Sequence, residues 1–266
     1  MPITGYSNTI SVTTAGYDAD AQAFFDRVTA AGGTLTTTEK LATNQLVLDM
    51  KSASIWTAMR AVYPMVGASA AACAQNLKSS SFTGTFTSGW TFASSGVTPN
   101  GTSAYMNTNL TPSASLTQDS THLSFYSRTD ISSNQQEMGS QATNPDRFNL
   151  EVRYNGNLSS DQYNFLTGRV NVANGDSRGF YIGSRTNSST HKAFKNNAQI
   201  GTTNTTASSL LSLITNPIWI GVSNGSVNYS TKQCAFASIG DGLTDTQASN
   251  FYTAVQAFQT TLSRNV

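Results

Sequence analysis

From about residue 77 onward, the chain consists of short segments in which apolar or aromatic residues alternate with polar ones. A period of two is the pattern of a strand with one buried face and one solvent-facing side. Such segments occupy residues 123–127, 148–154, 179–183 and 218–222. The turn clusters between strands include Pro99-Asn100-Gly101, Asn155-Gly156, Asn174-Gly175-Asp176 and Asn224-Gly225. Many short strands with turns between them, and few helices among them, predict an antiparallel β-sandwich.

A helical segment precedes these strands. Its first helix starts at Asp18 and ends at Gly32-Gly33, and the apolar residues on one face are Ala21, Phe24, Phe25, Val28 and Ala31. The segment carries too few large apolar residues to be stable alone, so it should dock on the β domain or on a neighbouring subunit. Two interpretations stay open, an attachment module and a helical cap on the same fold.

A capping box indicates a second helix, because Thr36 stands three residues before Glu39. We expect this helix to run along Leu41 and Leu48 and onward toward Met59, before a proline at position 64 ends it. The predicted organisation is an N-terminal part over residues 1–76, with an extended arm at residues 2–17 followed by the helical element, and then a sandwich over residues 77–266.

The chain closes with an amphipathic helix. Thr244 and Gln247 have the spacing of a second capping box. The predicted buried face of this helix consists of Ala248, Phe251, Tyr252 and Val255.

Composition and charge exclude several classes of protein. Charged residues make up 11% of the chain and the net charge is +1, which leaves no basic patch for nucleic acid. The 35 serines and 37 threonines show that hydroxyl groups, rather than charges, face the solvent. The sequence has no apolar run of roughly 18 residues and no conventional secretion signal. We therefore expect a soluble protein without a membrane span, made in a cytosol.

Three stretches of the β region resemble a known fold. Residues 88–92 and 99–105, with an Asn-Gly-Thr turn leading to Tyr105, resemble the opening strands of a concanavalin A-like, or laminin-G-like, jelly roll. Residues 191–200 resemble a hairpin of that fold, with Asn197 in place of the usual glycine, and residues 236–245 resemble its last strand. The resemblance implies a mainly β, antiparallel jelly-roll sandwich with a small N-terminal helical element and a C-terminal helix.

The order of several blocks resembles a widespread family of tailed-phage virion proteins. The blocks are residues 18–24, 55–67, 76–78 and 245–258. The resemblance implies a virion component. As the leading hypothesis, we expect a structural protein exposed on the particle, either capsid-associated or part of a tail or fibre. With this hypothesis we expect other virion proteins and further copies of the chain as partners, a contribution to host attachment, and a location in the virion after synthesis in the host cytoplasm.

The sequence lacks the usual catalytic patterns of this fold. A glucanase built on such a sandwich uses carboxylates that alternate along one strand, and the only glutamates, Glu39, Glu137 and Glu151, are isolated. We interpret Glu151 and Arg153 as a solvated pair on one strand face. His122 and His191 stand in no recognised nucleophile motif. The prediction is a protein without enzymatic activity.

Binding residues are suggested by type alone. Tyr105, Tyr163 and Tyr229 lie in polar segments, where they can stack on sugar rings or fill a core or an interface. They support the alternative function, a lectin-like module that recognises a host-surface glycan.

Two aspartates and two cysteines complete the candidate residues. Asp241 and Asp245 offer oxygen ligands for Ca²⁺, although an aspartate at a turn more often caps the backbone. No other cofactor is expected. Cys73 and Cys234 match no metal or redox spacing, and we interpret them as inert buried thiols, with a disulfide or a shared metal site as the alternatives.

Overall fold

The computed structural model describes residues 16–141, 147–164, 166–209, 212 and 214–266. The predicted extended arm, residues 2–17, lies almost entirely outside this range. The helices are α1 (Ala19–Ala30), α2 (Thr37–Ser52), α3 (Ala70–Cys73), α4 (Pro112–Ser115) and α5 (Asp245–Thr261). The strands are β1 (Met59–Tyr63), β2 (Thr85–Phe86), β3 (Trp90–Ala93), β4 (Gly96–Pro99), β5 (Met106–Asn107), β6 (Thr121–Ser127), β7 (Met138–Gln141), β8 (Arg147–Tyr154), β9 (Asn157–Gln162), β10 (Val170–Ala173), β11 (Gly179–Asn187), β12 (Thr190–Lys195), β13 (Ala198–Gln199), β14 (Trp219–Ile220), β15 (Ser223–Asn224) and β16 (Cys234–Gly240).

Within the described residues these strands form two eight-stranded sheets. The first sheet has the order β13-β12-β11-β6-β16-β4-β3, and β1 pairs with β16. The second sheet has the order β10-β9-β8-β7-β14-β5-β2, and β15 pairs with β7. The pairs are antiparallel, apart from the short parallel pair of β15 with β7. The predicted mainly β sandwich, with N-terminal helices and a C-terminal helix, is confirmed.

One apolar core lies between the two sheets. Strand β6 contributes Leu123 and Phe125 to it, and β8 contributes Phe148, Leu150 and Val152. Because successive side chains of a strand point to opposite faces, this parity directs the residues between them to the outer face of each sheet.

A second core lies between the helices and the outer face of the first sheet. Phe251 of α5 packs edge-on against Phe180 and Phe236 at centroid distances of 5.1 and 5.8 Å. Phe24 of α1 and Leu46 of α2 belong to the same cluster. Burying each of these side chains contributes about 1.5–3 kcal/mol. The helical segment is therefore packed onto the sandwich, which agrees with the interpretation as a helical cap.

The predicted helix starts are confirmed. Asp18 caps α1, and Thr36 and Thr244 each form both hydrogen bonds of a capping box, with Glu39 and Gln247 respectively.

The predicted course of the second helix is wrong. Helix α2 ends at Ser52, and Ser54 adopts a left-handed conformation with φ of 56° that turns the chain away. Leu41 and Leu48 are 54% and 41% exposed, because the buried face runs instead through residues 42, 46, 47 and 50. Residues 59–63 form β1, which pairs with β16 in the first sheet. The boundary between residues 76 and 77 stays a prediction, although β1 brings part of the first segment into the sandwich.

The 191–200 hairpin and the buried thiols are also present. Strand β12 turns into β13 with a positive φ of 54° at Asn196, rather than at Asn197 as expected. Cys73 and Cys234 are free and buried, as interpreted from their spacing.

Candidate ligand-binding site

The outer face of the second sheet carries polar side chains. Phe148, Leu150 and Val152 of β8 point into the core, so Asn149 and Glu151 lie on the opposite face. The register of β8 with β9 places Asn149 opposite Asp161. Carboxylates from two neighbouring strands therefore share this face.

A cavity of about 450 Å³ opens on this face. Gln136, Gln141, Glu151 and Arg169 line it, together with residues 225–228 of the loop that follows β15. Its volume lies within the usual range of small-ligand sites, about 300–1,000 Å³.

Glu151 is the buried acid of this cavity, with 1% of its surface exposed. Its Oε1 atom accepts a hydrogen bond of 2.8 Å from Gln136 Nε2. Its Oε2 atom accepts no hydrogen bond from the residues that the structure describes, and forms a longer ion pair of 3.5 Å with Arg169 Nη2. Burial raises the pKa of Glu151 to about 7, against the opposing effect of the Arg169 charge. The carboxyl group therefore exists in both protonation states near neutral pH.

Arg169 is fixed by the carboxylate of Asp161. Arg169 Nε donates to Asp161 Oδ1 over 2.8 Å, and Nη2 donates to Oδ2 over 2.6 Å. Asp161 is fully buried, and this burial raises its pKa while the paired guanidinium opposes the shift. Two parallel hydrogen bonds hold the guanidinium in one plane. The cavity therefore contains a guanidinium cation held in a fixed orientation and a carboxyl group whose charge depends on the pH.

Two further acceptor atoms in the cavity lining are buried and have no hydrogen-bond donor among the described parts of the chain. They are the side-chain carbonyl oxygens Oε1 of Gln136 and Gln141. Gln141 is oriented by its Nε2 atom, which donates to Gly225 O over 2.7 Å. Since buried polar groups in proteins are nearly always hydrogen-bonded, three unsatisfied acceptors around one cavity indicate a place for a ligand with several donors.

The tyrosines predicted as sugar contacts do not converge on one site. Tyr163 is fully buried and stacks on Phe148 at 4.9 Å, so the prediction of a surface contact is wrong. Tyr105 is half-buried and stacks on Trp219 with a centroid distance of 3.7 Å. It lies next to β5, which is separated from the cavity by β14. Tyr229 lies at the end of the loop that borders the cavity, where its backbone pairs with that of Gln136 in an isolated parallel β-bridge. Tyr229 alone stays near the candidate site.

Both aspartates of the predicted calcium site bind basic side chains instead. The Asp241 carboxylate binds Arg60 at 3.1 Å, and the Asp245 carboxylate binds Lys192 at 2.7 Å. Asp245 is also the first residue of α5. Across the described ranges, His, Cys, Asp and Glu side chains form no group of three that could hold a metal ion. Each aspartate thus already has a cationic partner, and the structure does not support a calcium site.

The predicted solvated pair of Glu151 and Arg153 is wrong. Arg153 binds Asp130 at 2.7 Å, whereas Glu151 faces Arg169. A period of two from Phe148 to Val152 does place Glu151 on the outer face. Its partners could not be read from the sequence, because they are Gln136, just before β7, and Arg169, in the loop before β10.

Both histidines are structural. His122 Nε2 lies 2.9 Å from Ser238 Oγ, and His191 Nε2 lies 3.0 Å from Ser160 Oγ. Each imidazole is fully buried, and burial lowers the pKa of His122 to about 4 and that of His191 to about 3. A substrate has no access to either serine–histidine contact.

In the part of the chain that the structure describes, no helix has the length and apolar character needed to cross a membrane.

Comparison with known proteins identifies the fold. No family model matches this chain, and no curated protein matches it. Domain 4 of AbnA, an extracellular GH43 arabinanase from Geobacillus stearothermophilus, is similar with a TM-score of 0.52 and 12% identity, over 73% of this chain and 98% of that domain. A Trypanosoma rangeli sialidase mutant that displays trans-sialidase activity is similar with a TM-score of 0.50 and 10% identity, over 81% of this chain and 39% of the sialidase. At these identities the likeness establishes the β-sandwich fold.

Proposed function

We propose that this chain is a glycan-binding module without catalytic activity, and that its ligand occupies the cavity beside Glu151. The observation that carries the proposal is the set of three buried acceptor atoms, on Gln136, Gln141 and Glu151, that receive no hydrogen bond from any described residue. Sugar hydroxyls are donors and acceptors at once, so they can bond these oxygens and also accept from the Arg169 guanidinium. The Geobacillus domain of similar fold was solved in complex with arabinotriose, which adds support.

The carboxylates favour binding over hydrolysis. Glycosidases of the two-carboxylate type need one carboxyl group as acid and a second as nucleophile or base. Asp161 is held by two hydrogen bonds to Arg169 and is fully buried, which leaves it unsuited to either role. Glu151 is then a single acid that can bond a hydroxyl group.

The experiment is a glycan array that includes arabinotriose, followed by calorimetric titration of each sugar that binds. Glu151→Gln replaces the oxygen that accepts no hydrogen bond by an amide nitrogen. This change should weaken binding at least tenfold, since a hydrogen bond to a charged group contributes about 1.5–3 kcal/mol. The control is Asp241→Asn, which alters the carboxylate that pairs with Arg60. This variant should bind like the wild type. Unchanged affinity of Glu151→Gln would refute this site, and release of new reducing ends from the bound glycan would refute the absence of catalysis.

The setting of the module is a second part of the proposal. The resemblance of several sequence blocks to tailed-phage virion proteins supports a place on a virion, where glycan binding would aid host attachment. Several copies on one particle would raise the avidity of a weak site. A cryo-EM map that locates copies of the chain on a virion tests this, and a strictly monomeric chain that is absent from particles would contradict it.

A further inference from the structure

A second cavity adjoins the first across Arg169. It has a volume of about 260 Å³ and lies beside β10, the edge strand of the second sheet. Arg169, Asn171 and residues 202–206 line it. Arg169 also lines the larger cavity, so this one residue borders both spaces.

The lining of the second cavity is neutral and rich in hydroxyl groups. Apart from Arg169, it consists of Val170, the two asparagines Asn171 and Asn204, and the four threonines of residues 202–206. Asn204 holds the loop in place, since its Nδ2 donates to Thr167 O over 2.8 Å and its Oδ1 accepts from Thr206 N over 2.8 Å. A braced wall of this kind suits a neutral ligand with several hydroxyl groups, rather than an anion or an apolar molecule.

Residues of the second sheet hold the Arg169 side chain in position. Asp161 binds it with two hydrogen bonds, and Glu151 lies 3.5 Å from Nη2. The side chain remains 19% exposed between the two cavities. The successive strands β8, β9 and β10 carry Glu151, Asp161 and Asn171 respectively. A line through these residues therefore runs across the strands.

We propose that the two cavities are adjacent subsites of one groove, and that the ligand is a linear oligosaccharide of at least two sugar units that crosses Arg169. This inference rests on the proposed function and adds the class of ligand. The smaller cavity alone lies below the usual volume of a ligand site, about 300 Å³ at the low end, so it is used as an extension of the larger one.

The test compares chain lengths. The probes are arabinose, arabinobiose and arabinotriose, with glucose, maltose and maltotriose as a second series, titrated into the full chain. In the series that binds, the affinity should rise at least tenfold from the monosaccharide to the di- or trisaccharide. Thr205→Trp places an indole in the smaller cavity from an exposed position, and Thr205→Ser is its matched control. The tryptophan variant should lose the gain with chain length and keep the affinity for the monosaccharide.

The outcomes separate the two proposals. Equal affinity for mono- and oligosaccharides would overturn the two-subsite groove and leave the glycan-binding site in place. A gain with chain length that Thr205→Trp does not change would also overturn it, because the second sugar unit would lie elsewhere. Absence of binding in both series would count against the groove and the proposed function together.

Discussion

Lys232 and Glu137 form an ion pair in which Nζ and Oε1 are 2.9 Å apart and neither side chain is exposed. Glu137 also accepts a hydrogen bond of 2.6 Å from the backbone N–H of Val152 through its other oxygen, Oε2. Glu137 immediately precedes β7 and follows Gln136 of the cavity lining. The pair therefore joins the chain before β16 to the sheet that forms the candidate site.

Removal of one member of this pair should be strongly destabilising. Lys232→Met leaves a buried carboxylate without its cation, and we expect the free energy of unfolding to fall by about 3–5 kcal/mol. Lys192→Met breaks the exposed pair with Asp245 and should cost about 1 kcal/mol or less. Urea unfolding of the two variants makes the comparison, and similar losses for both would contradict the buried character of the Lys232 pair.

Glu151→Gln should stabilise the protein at alkaline pH. The folded-state pKa of about 7 lies above the unfolded value of 4.5, so the folded state binds the proton more tightly. Wild-type stability from this group is complete below pH 4.5 and is lost as the pH rises through 7. The variant lacks this loss, and its free energy of unfolding at pH 8 should exceed that of the wild type by on the order of 1–3 kcal/mol. Denaturant unfolding at pH 4.5 and pH 8 measures this, and a difference that does not vary with pH would speak against it.

The two histidines should stay neutral well below their usual titration range. Burial lowers the pKa of His122 to about 4 and of His191 to about 3, against an unfolded value of 6.5. Their contribution to stability is complete above pH 6.5 and is lost as the pH falls toward these folded-state values, because the unfolded chain takes up the protons first.

NMR measures the histidines separately from Glu151, whose effect on stability has the opposite sign. The imidazole carbon-bound protons of both rings should keep constant chemical shifts between pH 8 and pH 5. A ring that titrates near pH 6.5 would show that its burial is incomplete.

Tyr163 and Tyr229 should respond differently to truncation. Tyr163→Ala opens a cavity beside Phe148 in the core and should cost about 3–5 kcal/mol. Tyr229→Ala removes a partly exposed ring and should change the free energy of unfolding by about 1 kcal/mol or less. Thermal unfolding of both variants distinguishes them, and a mild effect of Tyr163→Ala would be inconsistent with its position in the core.

Local signals could be read from the sequence alone because they act over a few residues. The capping boxes at Thr36 and Thr244 each join groups three positions apart, and both are present in the structure. The alternation of residues 148–152 assigns each side chain to one face of a strand, whatever the strand pairs with. These signals were sufficient to predict a β-sandwich with helices at its two ends.

The tertiary structure alone decided which residues meet. Residues 59–63 are apolar enough for a helix or a strand, and they become a strand because β16, some 180 positions away, supplies the hydrogen bonds. Glu151 was visible on a strand face, but its buried state depends on Arg169 from a later loop and on the register that places β9 beside β8. Long-range pairing and burial set the pKa of such a group, and no short stretch of sequence contains that information.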